Sequence, residues 1–330
     1  MKTVRFHEIG GPEVLTYEDV ADPVAGPGEL LIRVEAVGIN FADILRRRGD
    51  PYPEPSPLPF TVGGEVAGMV AALGEGVEGP AIGTPVFAAS RAGGYAQFVV
   101  VPASSAIPLP DGIDAVQATA LVVQGLTALF ALRDAGRLEK GETVLIEAAA
   151  GGVGSFAVQL AKILGAGTVI GAASSEAKRA VAMSFGADAV VDYTDPDWAE
   201  HVRAMTGGKG VDIVLEMTGG ATLPRALDAL APFGRMIVYG LASGEPVDVD
   251  PQRLVNFNQT VTGFYIGGFF AYPERIAVGL AEIVGHVQAG TLDLQIGGVL
   301  PLSRAADAHR LLEGRQSTGK LVLKPWEVDA

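Results

Sequence analysis

Apolar positions follow two different rhythms along the chain. Through roughly the first 120 residues they form short β-branched runs: TVRF at 3–6, ELLIRVEAVGI at 29–39, EVAGMVAAL at 65–73 and YAQFVVVP at 95–102. Gly and Pro separate these runs, as at 26–28 and 50–53, which is the signature of strands joined by turns. The proline-rich stretch 51–59 is excluded from a helix or a central strand and predicts a surface loop. From about residue 140 strands and helices alternate. ETVLIEAAA (142–150), TVIGAAS (168–174), DAVVDY (188–193), VDIVLEMTG (211–219) and RMIVYG (235–240) read as strands. Apolar residues recur at helical spacing in 155–165 and 176–186, which end on Gly165 and Gly186, suitable C′ residues.

Strands that are apolar on both faces and alternate with helices predict a parallel sheet covered on both sides. The pattern therefore predicts an α/β chain with a doubly wound domain over roughly 123–265. A chain of 330 residues also exceeds what one hydrophobic core ordinarily holds, so a second domain is expected. The tail, 266–330, reads as a helix from 273 to 289, a short strand, a second helix and a final strand in GKLVLKP. The pattern alone leaves open whether the tail completes the first domain or stands apart. The run VTGFYIGG at 261–268 reads as a long, uncharged edge strand. Such an edge invites pairing, and a twofold mate would cover it, so a homodimer through this edge is expected.

Charge narrows the partners. Lys and Arg number 24 against 38 Asp and Glu, a net −14, which argues against nucleic acid and anionic membranes. With no cysteine there are no disulfides, thiol nucleophiles or Cys-ligated metals, and the four histidines have no metal-ligand spacing. The apolar stretch 117–132 is too short for a membrane span and contains two Gln. With no signal-like run at the start, a soluble cytoplasmic protein is expected.

The richest motif is AAAGGVGS at 148–155, directly after a predicted strand and opening a predicted helix. Against G-x-G-x-x-G, Gly151 and Gly154 match and Ala149 replaces the first glycine. Gly151 would let backbone approach a pyrophosphate, Gly154 would allow close helix–strand packing, and the amides at Val153 and Gly154 would point at the anion. Ala150 to Gly154 are thus candidate cofactor contacts. A plain turn needing small residues would look the same locally; the strands and helices on either side favour a dinucleotide. The second strand then ends in AASS at 172–175, with no carboxylate for a ribose 2′-hydroxyl. Ser174 and Lys178 suit a 2′-phosphate, Glu176 is better placed for a helix first turn, and one of Lys178 and Arg179 reads equally as solvated helix face. NADPH is the expected cofactor.

VGINFAD at 37–43 and RRGDPYP at 47–53 resemble the signature of zinc-free quinone oxidoreductases of the medium-chain dehydrogenase/reductase superfamily. GGYAQFVVVP at 93–102, QGLTA at 124–128, AAAGGVG at 148–154 and GKLVL at 319–323 extend that resemblance. It implies a GroES-like, partly open β-barrel from 1–122 and the return segment 266–330, with a Rossmann domain, 123–265, inserted between them and the cofactor in the cleft. Zinc-dependent relatives carry an early Cys and Gly-His-Glu; here the triplet is Gly63, Gly64, Glu65, which implies chemistry without metal. Carried over by motif, Asn40 would meet the nicotinamide ribose or substrate and Tyr52 the nicotinamide pocket, these two being the catalytic candidates. Thr127 would reach the nicotinamide end, and Tyr193 would join Ser174 and Lys178 at the 2′-phosphate. Tyr239, Gly240, Leu241, Phe264 and Tyr265 would flank the nicotinamide, and Lys320 would close on the cofactor from the tail. Plainer roles are a strand aromatic for Tyr193, a turn cap for Asn40 and a surface cation for Lys320. The implied reaction is hydride transfer from NADPH to a quinone. The alternatives are reduction of an enone or enoyl thioester, for which Arg46, Arg47 and Arg48 would form a basic entrance unless they are a solvated helix end, and NADPH binding without turnover.

Overall fold

Alternation along Glu29–Gly38 buries Leu30, Ile32, Val34 and Ala36 on one face, as a half-buried strand requires. In the computed structural model, which describes residues 1–327, the chain divides into two units: Met1–Val123 with the chain from Ile296 on, and Gln124–Gln295. The first unit opens with the hairpin β1 (Lys2–Arg5) and β2 (Thr16–Asp19), followed by β3 (Glu29–Gly38), β4 (Glu65–Leu73), β5 (Pro85–Ala89), β6 (Phe98–Pro102) and β7 (Ala106–Pro108).

The second unit holds β8 (Thr143–Glu147), β9 (Thr168–Ala172), β10 (Ala189–Val191), β11 (Val211–Glu216), β12 (Leu230–Val238) and β13 (Thr260–Gly263). They form one parallel sheet in the order β10-β9-β8-β11-β12-β13. This is the Rossmann doubly wound order, and its direction reverses between β8 and β11. The chain then returns to the first unit as β14 (Ile296–Pro301) and β15 (Lys320–Lys324), giving a mostly antiparallel sheet β14-β15-β3-β4-β5-β7 with β6 also on β3. The architecture is a GroES-like β domain plus a Rossmann domain.

The return to the first unit begins at Ile296, about thirty residues after the bound that the resemblance implies. The helix Pro273–Gln288 belongs to the parallel-sheet unit because it packs so closely there that a Cβ on Gly279 would stand 2.8 Å from the Phe130 ring. The chain after it is tied down by Gln159, which exchanges two hydrogen bonds with the backbone of Asp293 at 2.7 and 3.0 Å. The edge strand is also shorter than 261–268. Phe264 turns inward onto Phe269, which stacks on Phe130 at 4.8 Å, and 266–271 winds into a 3₁₀ helix. Among the described residues one helix, Ala115–Ala135, is long and apolar enough to cross a membrane, but 78% of its apolar window is buried within the protein, as a core helix is.

Candidate active site

The glycine-rich turn sits where the Rossmann order places a dinucleotide. β8 ends at Glu147, the chain turns with Gly151 NH on Ala148 O at 2.7 Å, and Gly151 is the N-cap of the helix Gly152–Ile163. The first intrahelical bond is Ser155 NH to Gly151 O, so the amides of Gly152, Val153 and Gly154 precede the ladder and are the donors an anion would take. A Cβ on Gly154 would stand 2.2 Å from Ala148 O, and one on Gly152 would stand 2.1 Å from the Gln124 amide. Gln124 is buried, with Oε1 unbonded. Ala150 is buried beside the turn. One detail differs from the motif alignment. The left-handed turn residue is Ala148, at φ 48°, not Ala149, so the first glycine's conformation is held here by an alanine.

At the end of β9 no carboxylate appears among 172–175. Ser174 and Lys178 are half-buried, Ser175 caps the helix Glu176–Ser184, and Glu176 is its exposed first residue. Arg179 is held by Asp192 at 2.7 Å and by Ala173 O, which makes it the structural member of the cation pair. Tyr193 is half-buried and packs on the hydrophobic cluster around Trp198.

Two residues that the motifs did not flag dominate the carboxyl edge. Glu147 ends β8 and Glu216 ends β11, one step past the paired Ile146 and Leu215. Both are fully buried. Glu216 Oε1 accepts from the Thr218 and Gly219 amides at 3.1 and 2.6 Å. Among the described residues neither Glu147 oxygen has a donor in bonding geometry; Thr218 and the Met217 amide lie near enough only to temper its shift. Burial first, and then the Glu216 charge, push the Glu147 carboxyl up to about 8. Burial raises Glu216 as well, and burial together with both carboxyls holds the Tyr239 phenol above its ordinary range.

Tyr239 and the turn after it run along β11's end: Tyr239 NH bonds Glu216 O, and Ala242 NH bonds Met217 O. A Cβ on Gly240 would stand 3.3 Å from Met217 O, while the Leu241 side chain is exposed. Phe264 NH continues the sheet onto Val238 O; Phe264 is buried and Tyr265 is exposed. Thr127 is buried within Leu126–Phe130.

In the first unit, Asn40 is the N-cap of the helix Phe41–Arg48, as its plainer role had it, and is buried. Its Oδ1 accepts from Lys320 Nζ at 2.9 Å. The same ammonium meets Glu65 Oε2 at 2.8 Å, and Glu65 Oε1 accepts from the Val122 and Val123 amides at 2.9 and 3.0 Å. Lys320 and Glu65 are each 0% exposed. The structure thus corrects the surface-cation alternative for Lys320: its ammonium is buried on Glu65 and Asn40. Asp43 of the same motif is a joint, accepting from Asn40 NH, Gly63 NH and the Tyr95 hydroxyl.

Arg46 and Arg47 are neither a solvated helix end nor a basic entrance. Arg46 is buried, donating to Ser56 Oγ, Pro55 O and Arg91 O, with its guanidinium 5.0 Å from the Tyr52 ring centre and 4.4 Å from that of Phe60. It therefore pins the proline-rich loop that carries half-buried Tyr52. Arg47 is fully buried on Gly10 O, Glu313 and His309 Nδ1; burial and the Arg47 charge push His309 down to about 3, so the imidazole is neutral. Arg48 pairs with Asp50.

Comparison with known proteins agrees with this arrangement. Residues 26–111 match the alcohol dehydrogenase GroES-like domain family and residues 152–282 the zinc-binding dehydrogenase family. A quinone oxidoreductase of Pseudomonas aeruginosa is 38% identical over 98% of this chain and 99% of its own. A 2-haloacrylate reductase of a Burkholderia species is 37% identical over 97% and 98%. The crystal structure of Escherichia coli quinone oxidoreductase complexed with NADPH superposes with a TM-score of 0.93 at 34% identity, covering 98% of this chain and 100% of that one. Taken with the Rossmann order and the GroES-like sheet, these matches establish that the chain belongs to the quinone oxidoreductase family of the medium-chain dehydrogenases/reductases and is an oxidoreductase by descent.

Proposed function

We propose that the chain is a cytoplasmic, NADPH-dependent reductase that delivers hydride to quinones, or to related electron-poor carbonyl compounds, without a metal. The observation that carries the cofactor is the carboxylate-free end of β9 beside a glycine-rich turn whose Gly154 has no room for a side chain. The complex of the E. coli relative with NADPH supports the same choice. The amides of Gly152, Val153 and Gly154 bind the pyrophosphate, and Ser174, Lys178 and Tyr193 surround the 2′-phosphate. Thr127, Tyr239, Gly240, Leu241, Phe264 and Tyr265 serve the nicotinamide end. When bound, the nicotinamide supplies the hydride. Gly64 in the histidine position of zinc enzymes, a chain without cysteine and a Glu65 already neutralised by Lys320 favour metal-free chemistry.

A charge-assisted hydrogen bond is worth roughly 1.5–3 kcal/mol. Lys178→Ala is therefore expected to raise KM for NADPH about tenfold to a hundredfold and to leave NADH use nearly unchanged. An equal effect on both cofactors in steady-state assays refutes the assignment.

Asn40 and Tyr52 serve the acceptor. A hydroquinone anion needs little help from an acid, so holding the reactants together supplies most of the rate. Tyr52→Phe is expected to cost less than about tenfold in kcat; a loss beyond about a thousandfold identifies Tyr52 as an obligate acid.

The 2-haloacrylate reductase relative favours a second acceptor class, the electron-poor alkene. Competition between a 2-alkenal and a quinone in one assay separates the two. Buried Arg46 and Arg47 remove the basic entrance that a coenzyme A thioester would use. The proposal includes a homodimer paired across the β13 edge, to be read by light scattering.

A further inference from the structure

The carboxyl edge of the Rossmann sheet holds two acids where a dinucleotide-binding protein would be expected to avoid negative charge. β8 and β11 flank the point at which the strand order reverses, which is where ligands settle on such sheets. Their last residues, Glu147 and Glu216, are both fully buried, and three of their four carboxyl oxygens have no hydrogen bond among the described residues. Two ionised carboxylates cannot share such a place without a large penalty. The surroundings distinguish the two groups. Glu216 Oε1 takes two backbone amides, which suits the ionised form. Glu147 has no completed bond, which suits the protonated form, with Glu216 as the acceptor for its proton. Among the described residues no cation acts on either carboxyl. β11 contributes Glu216, the end of β12 contributes Tyr239, and β9 presents Ala172 in register with Glu147.

We infer that Glu147 and Glu216 share a single proton at this switch point, and that dinucleotide binding draws a further fraction of a proton from solvent into the pair. The inference rests on the cofactor assignment above. An anionic ligand over the strand ends stabilises the protonated pair twice, through its charge and through the water it displaces. The pair titrates as a unit, with Glu147 raised to about 8, so uptake is greatest just above that pH. The 2′-phosphate is already fully ionised there and contributes no proton of its own.

Titration calorimetry of NADPH binding near pH 8.5, in two buffers of different ionisation enthalpy, reads the uptake directly. The wild-type chain is expected to take up about 0.3–0.5 proton per NADPH. Glu147→Gln, whose amide imitates the protonated acid, is expected to take up almost none. Glu216→Gln can still accept the two backbone amides and serves as a second variant with the same expectation. A second measurement needs no cofactor. The folded pair binds its proton more tightly than the unfolded chain does, so stability falls as pH rises from the ordinary carboxylate range to about 8 and then levels off. Between about pH 5 and pH 9 the apo wild type is expected to lose about 5–10 °C more in Tm than Glu147→Gln. Equal proton uptake by the two proteins, or parallel Tm profiles, overturns the inference. If NADPH fails to bind while the Tm difference persists, the cofactor assignment and the linkage fall together and the shared proton stands.

Discussion

Gly154→Val is expected to weaken NADPH binding at least a hundredfold and to lower Tm as well. The cause is steric. A Cβ at 154 would lie 2.2 Å from Ala148 O and 2.8 Å from Ala149 Cα, both backbone atoms of the turn that leaves β8. A flexible side chain could swing aside; this backbone cannot, so the helix Gly152–Ile163 must retreat from the strand and carry its first amides with it. Overpacking of this kind costs about 1–3 kcal/mol in the fold, and a hundredfold in affinity is about 2.7 kcal/mol. Gly151→Ala makes the complementary test. Its Cβ would meet Ala148 O at 3.1 Å, a contact that a shift of a few tenths of an ångström relieves, so the apo protein should lose far less Tm than Gly154→Val does. A pyrophosphate approaching Gly151 would still collide with that methyl, so affinity should fall. Fluorescence titration and a thermal scan on both variants read the two effects separately. Wild-type affinity in Gly154→Val would mean that the turn is not the cofactor cradle.

The second unit was legible because local signals coincide there. Strands such as Thr143–Glu147 are apolar on both faces, helices end at Gly165 and Gly186, and the turn motif sits between the two kinds of element. Legibility failed wherever a residue's environment comes from distant chain. Nothing near Pro273 says that its helix packs on Phe130 rather than joining the tail. Arg46 and Arg47 look like a solvated cluster because their acceptors, Arg91 O and His309, lie 45 and 262 residues away. Glu147 and Glu216 are single acids at two strand ends, and only the parallel register sets them side by side. The family resemblance carried the first unit's architecture, but the motif letters alone did not separate roles within it. Asn40 and Asp43 belong to one signature, yet Asp43 is a joint for Gly63 and Tyr95 while Asn40 is gripped by Lys320.

Lys320→Met is expected to destabilise the protein by about 3–5 kcal/mol, seen as a fall of about 10 °C or more in Tm. The partner left behind sets the size. Glu65 is 0% exposed and meets one ammonium, two backbone amides and, at 3.5 Å, the Asn40 side-chain amide; removing the ammonium leaves a buried carboxylate with amide dipoles alone. Methionine fills much of the lysine stem's volume, so little of the loss comes from a cavity. The double variant Lys320→Met with Glu65→Gln removes the charge and keeps an oxygen for the Val122 and Val123 amides. It should recover most of the stability, because replacing a buried ion pair by neutral groups is often close to neutral, while breaking one is not. Asn40 supplies the functional half of the result: its Oδ1 accepts from the same ammonium and its Nδ2 donates to Glu65 Oε2, so the double variant removes one of its two partners and alters the other. The double variant should therefore be stable yet slower in kcat with quinone, with KM for NADPH little changed. Full activity in a stable double variant would show that holding Asn40 is unimportant to the acceptor. A cost below about 1 kcal/mol for Lys320→Met would show that this buried pair is worth no more than an ordinary surface one.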